Sequence, residues 1–309
     1  MPMKKLVCLS SLFLALALPA HAERYPLPSD TSPVIGQLTI TTTHHDDTFL
    51  KLAKQFGVGY EEMILANPTV DPWLPGEGTQ VVVPTQYILP DSEREGIVLN
   101  LAEMRLYYYP RSPEGTPQYV HTYPISIGRQ GWDTPVGLTR IIRKKKDPTW
   151  YPPESIREEY KRKGKPLEST VPPGPDNPLG KFALYMALPS YVIHGTNEPR
   201  GIGMRVTHGC IRLRPDDIKD LFYRISPDTP VTIVNQPYKV AWHRDRLYAE
   251  MHPGTEEGSK PGSNLTQLVR TITGAADTGN GYRVDWGLAM RLAKGKTGLP
   301  TVVGFMQPQ

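Results

Sequence analysis

The stretch Thr207-His208-Gly209-Cys210-Ile211-Arg212-Leu213, with His194-Gly195-Thr196 a short way upstream, is the most informative part of the chain. It gathers one thiol, two imidazoles and glycines beside them. A thiol is a good nucleophile near neutral pH when its pKa is lowered, and an adjacent imidazole can supply that. Gly209 lets the backbone approach a substrate closely, so its amide and that of Cys210 can cradle an oxyanion. Two other readings compete with a nucleophile. Two histidines and a cysteine are three candidate zinc ligands, but the spacing follows no common zinc motif and offers no obvious fourth ligand. A buried inert cysteine is the other, yet paired histidines and glycines are an odd way to build an inert core.

The residues around this stretch read mainly as strands. Ile97 to Leu101 and Met104 to Tyr109 flank Ala102-Glu103 like a tight hairpin. Tyr119 to Ile127, Gly137 to Arg143, Phe182 to Leu188 and Tyr191 to His194 are further candidates, and Val231 to Val234 is the last strand of a unit spanning 96–235. One helix is clear: Pro215 opens it, Asp216 and Asp217 fill its first turn, and Ile218, Leu221, Phe222 and Ile225 share a face. Residues 147–179 hold eight prolines and many charges without periodicity. A loop of that length inside a compact domain is usually functional, which points to a cover over the active-site groove; the alternative is a solvated insertion. Residues 236–309 read as a structural appendage, with a strand in Trp242 to Met251 and a helix in Asp285 to Ala293.

Residues 23–36 read as an extended lead-in. Residues 37–86 then read as strand, helix, helix, strand. Gln37 to Thr42 is β-branched and alternating, Phe49, Leu50, Ala53 and Phe56 mark a helix ended by Gly57, Tyr60 to Ala66 marks a second, and Gln80 to Pro84 closes as a strand.

At the extreme N-terminus, Lys4 and Lys5 precede an apolar run from Leu6 to Leu18 and the small-residue pattern Ala20-His21-Ala22. This is the pattern of a secretory signal peptide over 1–22; the run is too short to span a bilayer comfortably, and no other stretch is long enough. Its removal takes Cys8 and leaves Cys210 as the one cysteine, with no disulfide partner in an oxidising compartment. The whole chain carries a net charge of +4, and without the two leader lysines the balance is 33 bases to 31 acids, or +2. That mild basicity suits an acidic polymer. The run Arg143-Lys144-Lys145-Lys146 has no nucleic-acid motif beside it, so no nucleic-acid partner is expected.

Two resemblances follow from these residues. Asp47-Thr48-Phe49-Leu50-Lys51-Leu52-Ala53, Gly57-Val58, Asn67-Pro68 and Leu74-Pro75-Gly76 resemble a LysM domain, a βααβ module that binds N-acetylglucosamine chains; the usual Gly-Asp-Thr is replaced by Asp46-Asp47-Thr48. Deleting 37–86 is therefore expected to weaken retention on peptidoglycan and leave acylation of Cys210 intact. The stretch from His194 to Arg212 resembles the signature of YkuD-type L,D-transpeptidases: a histidine and glycine, then Ser/Thr-His-Gly-Cys, a hydrophobic residue and Arg or Asn. Met104 to Pro110, Pro148-Thr149-Trp150, Pro173 to Gly180 and Gly201 to Val206 are similar to the periplasmic enzymes of enteric bacteria.

That resemblance implies a mainly β catalytic domain, a YkuD-like β-sandwich with one or two helices, located in the periplasm. It implies acyl transfer from a peptidoglycan tetrapeptide stem at the bond between diaminopimelate and D-Ala. Cys210 is then the nucleophile and His194 the general base, with the Gly195 carbonyl orienting its ring. His208 belongs to the catalytic group, and Thr207, Gly209 and Arg212 line the substrate site. The resolving amine comes from a neighbouring stem or from the C-terminal lysine of an outer-membrane lipoprotein; water would make the enzyme a carboxypeptidase. No metal or organic cofactor is required, and a wall-binding protein with a decayed site is the reading outside catalysis. If Thr207 to Cys210 is extended, His208 and Cys210 lie about 6.6 Å apart on one face, projecting in parallel. His194, ending another strand, is then better placed to take the thiol proton.

Overall fold

The computed structural model of the chain describes residues 23–28, 32–113, 115–254, 263–276 and 281–307. The expected signal peptide, residues 1–22, lies outside the described residues. The N-terminal part contains β1 (Glu23–Pro26), β2 (Val34–Gly36), β3 (Thr39–Thr42), α1 (Phe49–Gln55), α2 (Tyr60–Ala66), β4 (Gln80–Val83) and β5 (Gln86–Ile88). Thr48, rather than the preceding aspartates, caps α1 by accepting from the Lys51 amide. The Asn67 side chain ends α2 and grips β4, with Nδ2 donating to Val82 O and Oδ1 accepting from Val82 N. β3 and β4 pair antiparallel, and Phe49, Leu52, Met63, Val81 and Val83 form the core beneath the two helices. The lead-in is more than an extended arm: β1 pairs with a strand of the next unit, and β2 pairs with β5.

The central unit runs through β6 (Gly96–Asn100), β7 (Arg105–Tyr109), β8 (Tyr119–Pro124), β9 (Ile127–Gly128), β10 (Gly137–Lys146), α3 (Glu154–Arg162), β11 (Phe182–Met186), β12 (Val192–His194), β13 (Arg205–Thr207), β14 (Ile211–Arg212), α4 (Pro215–Arg224) and β15 (Pro230–Val234). The expected two faces come from one curled nine-stranded sheet, in the order β1-β8-β7-β6-β15-β10-β11-β12-β14. β10 turns the corner. Its first half pairs with β15 and its second half with β11, with a shift of register between Ile141 and Arg143. A bulge bends and twists a strand, which lets the sheet fold over. The far end closes through Ser126, whose amide and carbonyl exchange hydrogen bonds with Arg212 at 2.8 and 3.0 Å. Ile97, Leu99, Leu106, Tyr123, Ile141, Leu184, Ile193 and Ile211 fill the enclosed core, and α4 adds Ile218 and Leu221.

Several boundaries differ from the expected ones. The β6–β7 connection takes four residues, 101–104, with Met104 at φ 51°, rather than a two-residue turn. Tyr119 to Ile127 is two strands, because the chain leaves the ladder after Pro124. β15 ends the unit in sequence but lies inside the sheet, parallel to β6.

The C-terminal residues form a packed α+β layer: β16 (Tyr238–His243), β17 (Arg246–Met251), α5 (Ser263–Ala276), β18 (Tyr282–Val284), α6 (Trp286–Gly295) and β19 (Thr301–Met306). The single strand expected over Trp242 to Met251 is a hairpin turned at Arg244, which has φ 57°. Asp285 caps α6 by accepting from the Leu288 amide. Leu247, Ala249, Leu268, Ile272, Ala289 and Val303 give the layer its own core.

Candidate active site

Strand register explains how the two halves of the motif meet. β12 and β14 are parallel neighbours, with Ile193 opposite Ile211 and His194 opposite Arg212. One step back, this sets Cys210 beside Val192, whose backbone amide is hydrogen-bonded toward the sulfur. The thiol donates to the Ser190 carbonyl at 3.6 Å, and Ser190 has φ 71°, a backbone region uncommon for a residue with a side chain.

Thr207 to Cys210 is not an extended strand. β13 stops at Thr207, and Gly209 turns the chain with φ 95°. A Cβ on Gly209 would come within 3.0 Å of the Tyr191 ring and 3.4 Å of the Trp132 carbonyl, so glycine is required there. The Thr207 hydroxyl donates to Cys210 O and the Thr134 hydroxyl to Gly209 O, both at 2.7 Å, which fixes the turn. The parallel projection expected for His208 and Cys210 is therefore replaced by a turn between them.

His194 is buried, and its Nδ1 donates to the Gly195 carbonyl at 2.6 Å. That bond leaves Nε2 as the basic nitrogen. Burial, helped by the nearby Arg212 guanidinium, holds the imidazole pKa down to about 3. Burial also pushes the Cys210 thiol up, against the opposing pull of the Val192 amide and Arg212. The resting pair is thus a neutral thiol and a neutral imidazole. This differs from the lowered thiol pKa expected of a nucleophile beside histidines, because desolvation of the thiolate outweighs its partners.

Cys210, His194, His208, Thr207 and Arg212 line one cavity of about 380 Å³. Trp150, Tyr151, Pro153 and Ile156, from the expected cover over 147–179, supply part of its wall. This segment carries the helix α3, which the sequence reading missed. Its base is tied by the Trp150–Val171 bridge and by buried Asn177, whose Nδ2 donates to the Pro148 carbonyl at 2.9 Å. The readable signals were Glu154 in the first turn and the charge pairs Glu154–Arg157 and Glu159–Lys163. Glu159, Arg129 and Trp132, all absent from the sequence reading of the site, surround His208.

Among the described residues, one group of three acid, histidine or cysteine side chains brings its ligand atoms within 4.8 Å: Glu103, Glu250 and His252. The Lys239 ammonium lies 2.5 Å from Glu103 and 2.8 Å from Glu250, so a cation is already built into that cluster. Among the described residues, Cys210, His194 and His208 do not form such a group.

A curled β domain that brings a cysteine and a carbonyl-oriented histidine into one cavity has the arrangement of a thiol–imidazole acyl-transfer site. The YkuD family, the L,D-transpeptidase catalytic domain, matches residues 94–233. The chain is 42% identical to "Probable L,D-transpeptidase YbiS" of Escherichia coli K12 over 292 residues, 91% of this chain and 92% of that protein. It is 46% identical to "Probable L,D-transpeptidase YcfS" of the same organism over 233 residues, 74% of this chain and 72% of that protein. The solved catalytic domain of the E. faecium L,D-transpeptidase aligns at 19% identity over 47% of this chain and 99% of its own, with a TM-score of 0.35. The chain belongs to the YkuD family of L,D-transpeptidases, and is an enzyme of that class.

Proposed function

We propose that the enzyme remodels peptidoglycan peptides through a Cys210 thioester. The observation that carries this reading is the His194–Gly195 hydrogen bond, which leaves Nε2 as the basic nitrogen on a residue that lines the same cavity as the thiol. His194 Nε2 takes the thiol proton as sulfur attacks the carbonyl carbon at the L-centre of diaminopimelate. The amides of Gly209 and Cys210 support the oxyanion; among the described residues neither donates to a protein group. The C–N bond to D-Ala then breaks, and the proton passes from His194 to the leaving amine. An acceptor amine attacks the thioester, loses a proton through His194 and restores the thiol. Arg212 and Thr207 shape the substrate side, and His208 holds substrate. The acceptor is a neighbouring stem or the C-terminal lysine of an outer-membrane lipoprotein, which places the enzyme in the periplasm.

Residues 37–86 form a LysM-like, glycan-binding domain in this reading. Its support is the strand–helix–helix–strand order together with exposed Ile40, Trp73 and Leu74, apolar surface on which a sugar ring can stack. Incubation with disaccharide-tetrapeptide, with and without a lipoprotein C-terminal peptide, tests the whole proposal. Release of D-Ala with cross-linked or peptide-linked product is expected. Tripeptide alone means hydrolysis, and unchanged substrate overturns the proposal.

A further inference from the structure

Three side chains meet at the outer nitrogen of His208. Glu159 Oε2 lies 2.5 Å from Arg129 Nη2 and 3.1 Å from His208 Nε2, and Nη2 lies 3.1 Å from the same Nε2. Lys163 Nζ reaches the other carboxylate oxygen at 2.5 Å. Arg129 and Lys163 hold the Glu159 carboxyl well below the usual carboxylate range, so it is ionised and accepts hydrogen bonds only.

The distances decide which atom carries the proton. They make a narrow triangle with an angle of about 66° at Nη2. Two N–H bonds on one planar guanidinium nitrogen diverge by roughly 120°, so Nη2 could serve both neighbours only with each bond bent by about 27°, and that choice would leave a bare Nε2 lone pair 3.1 Å from an ionised carboxylate oxygen. Its short contact is to the carboxylate. A carboxylate oxygen takes two donors at a narrow angle without difficulty, so His208 donates Nε2–H to Glu159 as well. The Trp132 ring, with centroid 4.8 Å from that of His208 and planes at 80°, sets the imidazole edge-on. Nδ1 bonds to no described residue and is not among the fully buried unpartnered atoms, so it keeps access to solvent on a residue that lines the cavity.

We infer that Glu159 is a positioning residue for the transpeptidase reaction: it fixes His208 as the Nε2–H tautomer and so presents Nδ1 as a hydrogen-bond acceptor to an N–H of the peptide substrate. The inference rests on the reading of the cavity as the acyl-transfer site. It also gives α3 a chemical reason to lie over that site, since the wall of the cavity and the ring share one carboxylate.

The test measures D-Ala release from disaccharide-tetrapeptide by the parent, E159Q, H208A and the double variant E159Q/H208A, each checked by thermal melting. E159Q is expected to slow release by up to about 10²-fold, the scale of a misplaced substrate contact. The double variant is expected to be no slower than H208A, because Glu159 acts through the ring. Independent, multiplying effects overturn the inference. The imidazole ¹⁵N spectrum of His208 in the parent reads the tautomer directly, whether or not a variant folds. Nε2–H is expected, and Nδ1–H overturns the inference. A parent that releases no D-Ala overturns the reading of the site and this inference with it, whereas an active parent with multiplying variants overturns this inference alone.

Discussion

Arg105 on β7 and Glu62 on α2 form an ion pair across the seam between the catalytic unit and the N-terminal module, Nη2 to Oε2 2.6 Å, with side chains 1% and 8% exposed. The same seam is crossed by Arg214, whose Nη2 donates to the Val58 carbonyl at 2.6 Å, and by Glu61, whose amide donates to Gly203 O at 3.1 Å. Gly203 precedes β13 and Arg214 follows Leu213. The module therefore grips both ends of the segment that carries Cys210, and deleting residues 37–86 is now expected to impair acylation rather than spare it.

Glu62→Ala isolates this effect. It leaves the Arg105 guanidinium buried without its counter-ion, which costs roughly 3–5 kcal/mol when one partner of a buried pair is removed. Urea denaturation of Glu62→Ala should show that loss, and the double variant Glu62→Leu with Arg105→Met should lose less. Parent-like stability in Glu62→Ala would mean that the seam is solvated in solution.

Gly203→Ala probes the seam from the other side. Gly203 has φ 81°, and a Cβ there would sit 2.4 Å from Tyr60 N and 2.5 Å from Gly59 Cα. Both obstacles are backbone, so the strain of about 1–3 kcal/mol for an unfavourable backbone angle is joined by separation of the two units. Faster limited proteolysis within residues 84–96 and slower acylation of Cys210 are the expected results. An unchanged digest would show that the module can shift without consequence.

What the sequence revealed and what it hid follow from the range of the forces involved. The β–α–α–β order of 39–83, α4 and most strands were legible because local periodicity and caps write them. Cys210, His194 and His208 drew attention because the motif is short, and the fold brings all three to one cavity. The curl of the sheet was not legible, since it depends on β10 pairing with different partners along its length. α3 was hidden because it buries Ile156 alone and is mostly charged, so no apolar stripe announces it. Glu159 and Arg129 meet His208 from segments far apart in sequence, and no spacing rule reaches that far. The push of burial on the Cys210 thiol lies out of reach for the same reason: neighbours can be read from a motif, but burial is a property of the fold.

Lys239 is the second buried electrostatic centre. Its ammonium bridges Glu103 of the catalytic unit and Glu250 of the C-terminal layer, and it donates to the Ile88 carbonyl at 2.6 Å. His252 adds a contact of 2.6 Å to Glu250. Lys239→Met removes the ammonium that bridges two buried carboxylates, and a loss of roughly 3–5 kcal/mol is expected. One carboxylate should then take up a proton, so the variant should recover part of its stability as pH falls toward the carboxylate range. A melting temperature equal to that of the parent at neutral pH would show that the C-terminal layer does not depend on this centre.

The pH dependence of Cys210 tests the neutral resting pair. Burial raises the thiol, so the thiolate forms only as pH climbs above the ordinary thiol range. His194, held at about 3, stays neutral between pH 5 and 8 and offers no imidazolium to draw the thiol down. Alkylation by iodoacetamide should therefore be slower at pH 7 than that of an unperturbed cysteine and should keep rising through the alkaline range. Arg212 lowers both pKa values: it favours the thiolate and disfavours the imidazolium. Arg212→Ala should accordingly move the alkylation profile to still higher pH while raising the pKa of His194 toward its ordinary value. His194→Ala should leave the upper limb of the profile nearly in place, because a neutral ring exerts little charge effect, yet it should nearly abolish acylation by a carbapenem followed by intact-mass spectrometry. A rate of alkylation that is flat from pH 6 to 8 would reveal a preformed thiolate–imidazolium pair and refute this account of the site.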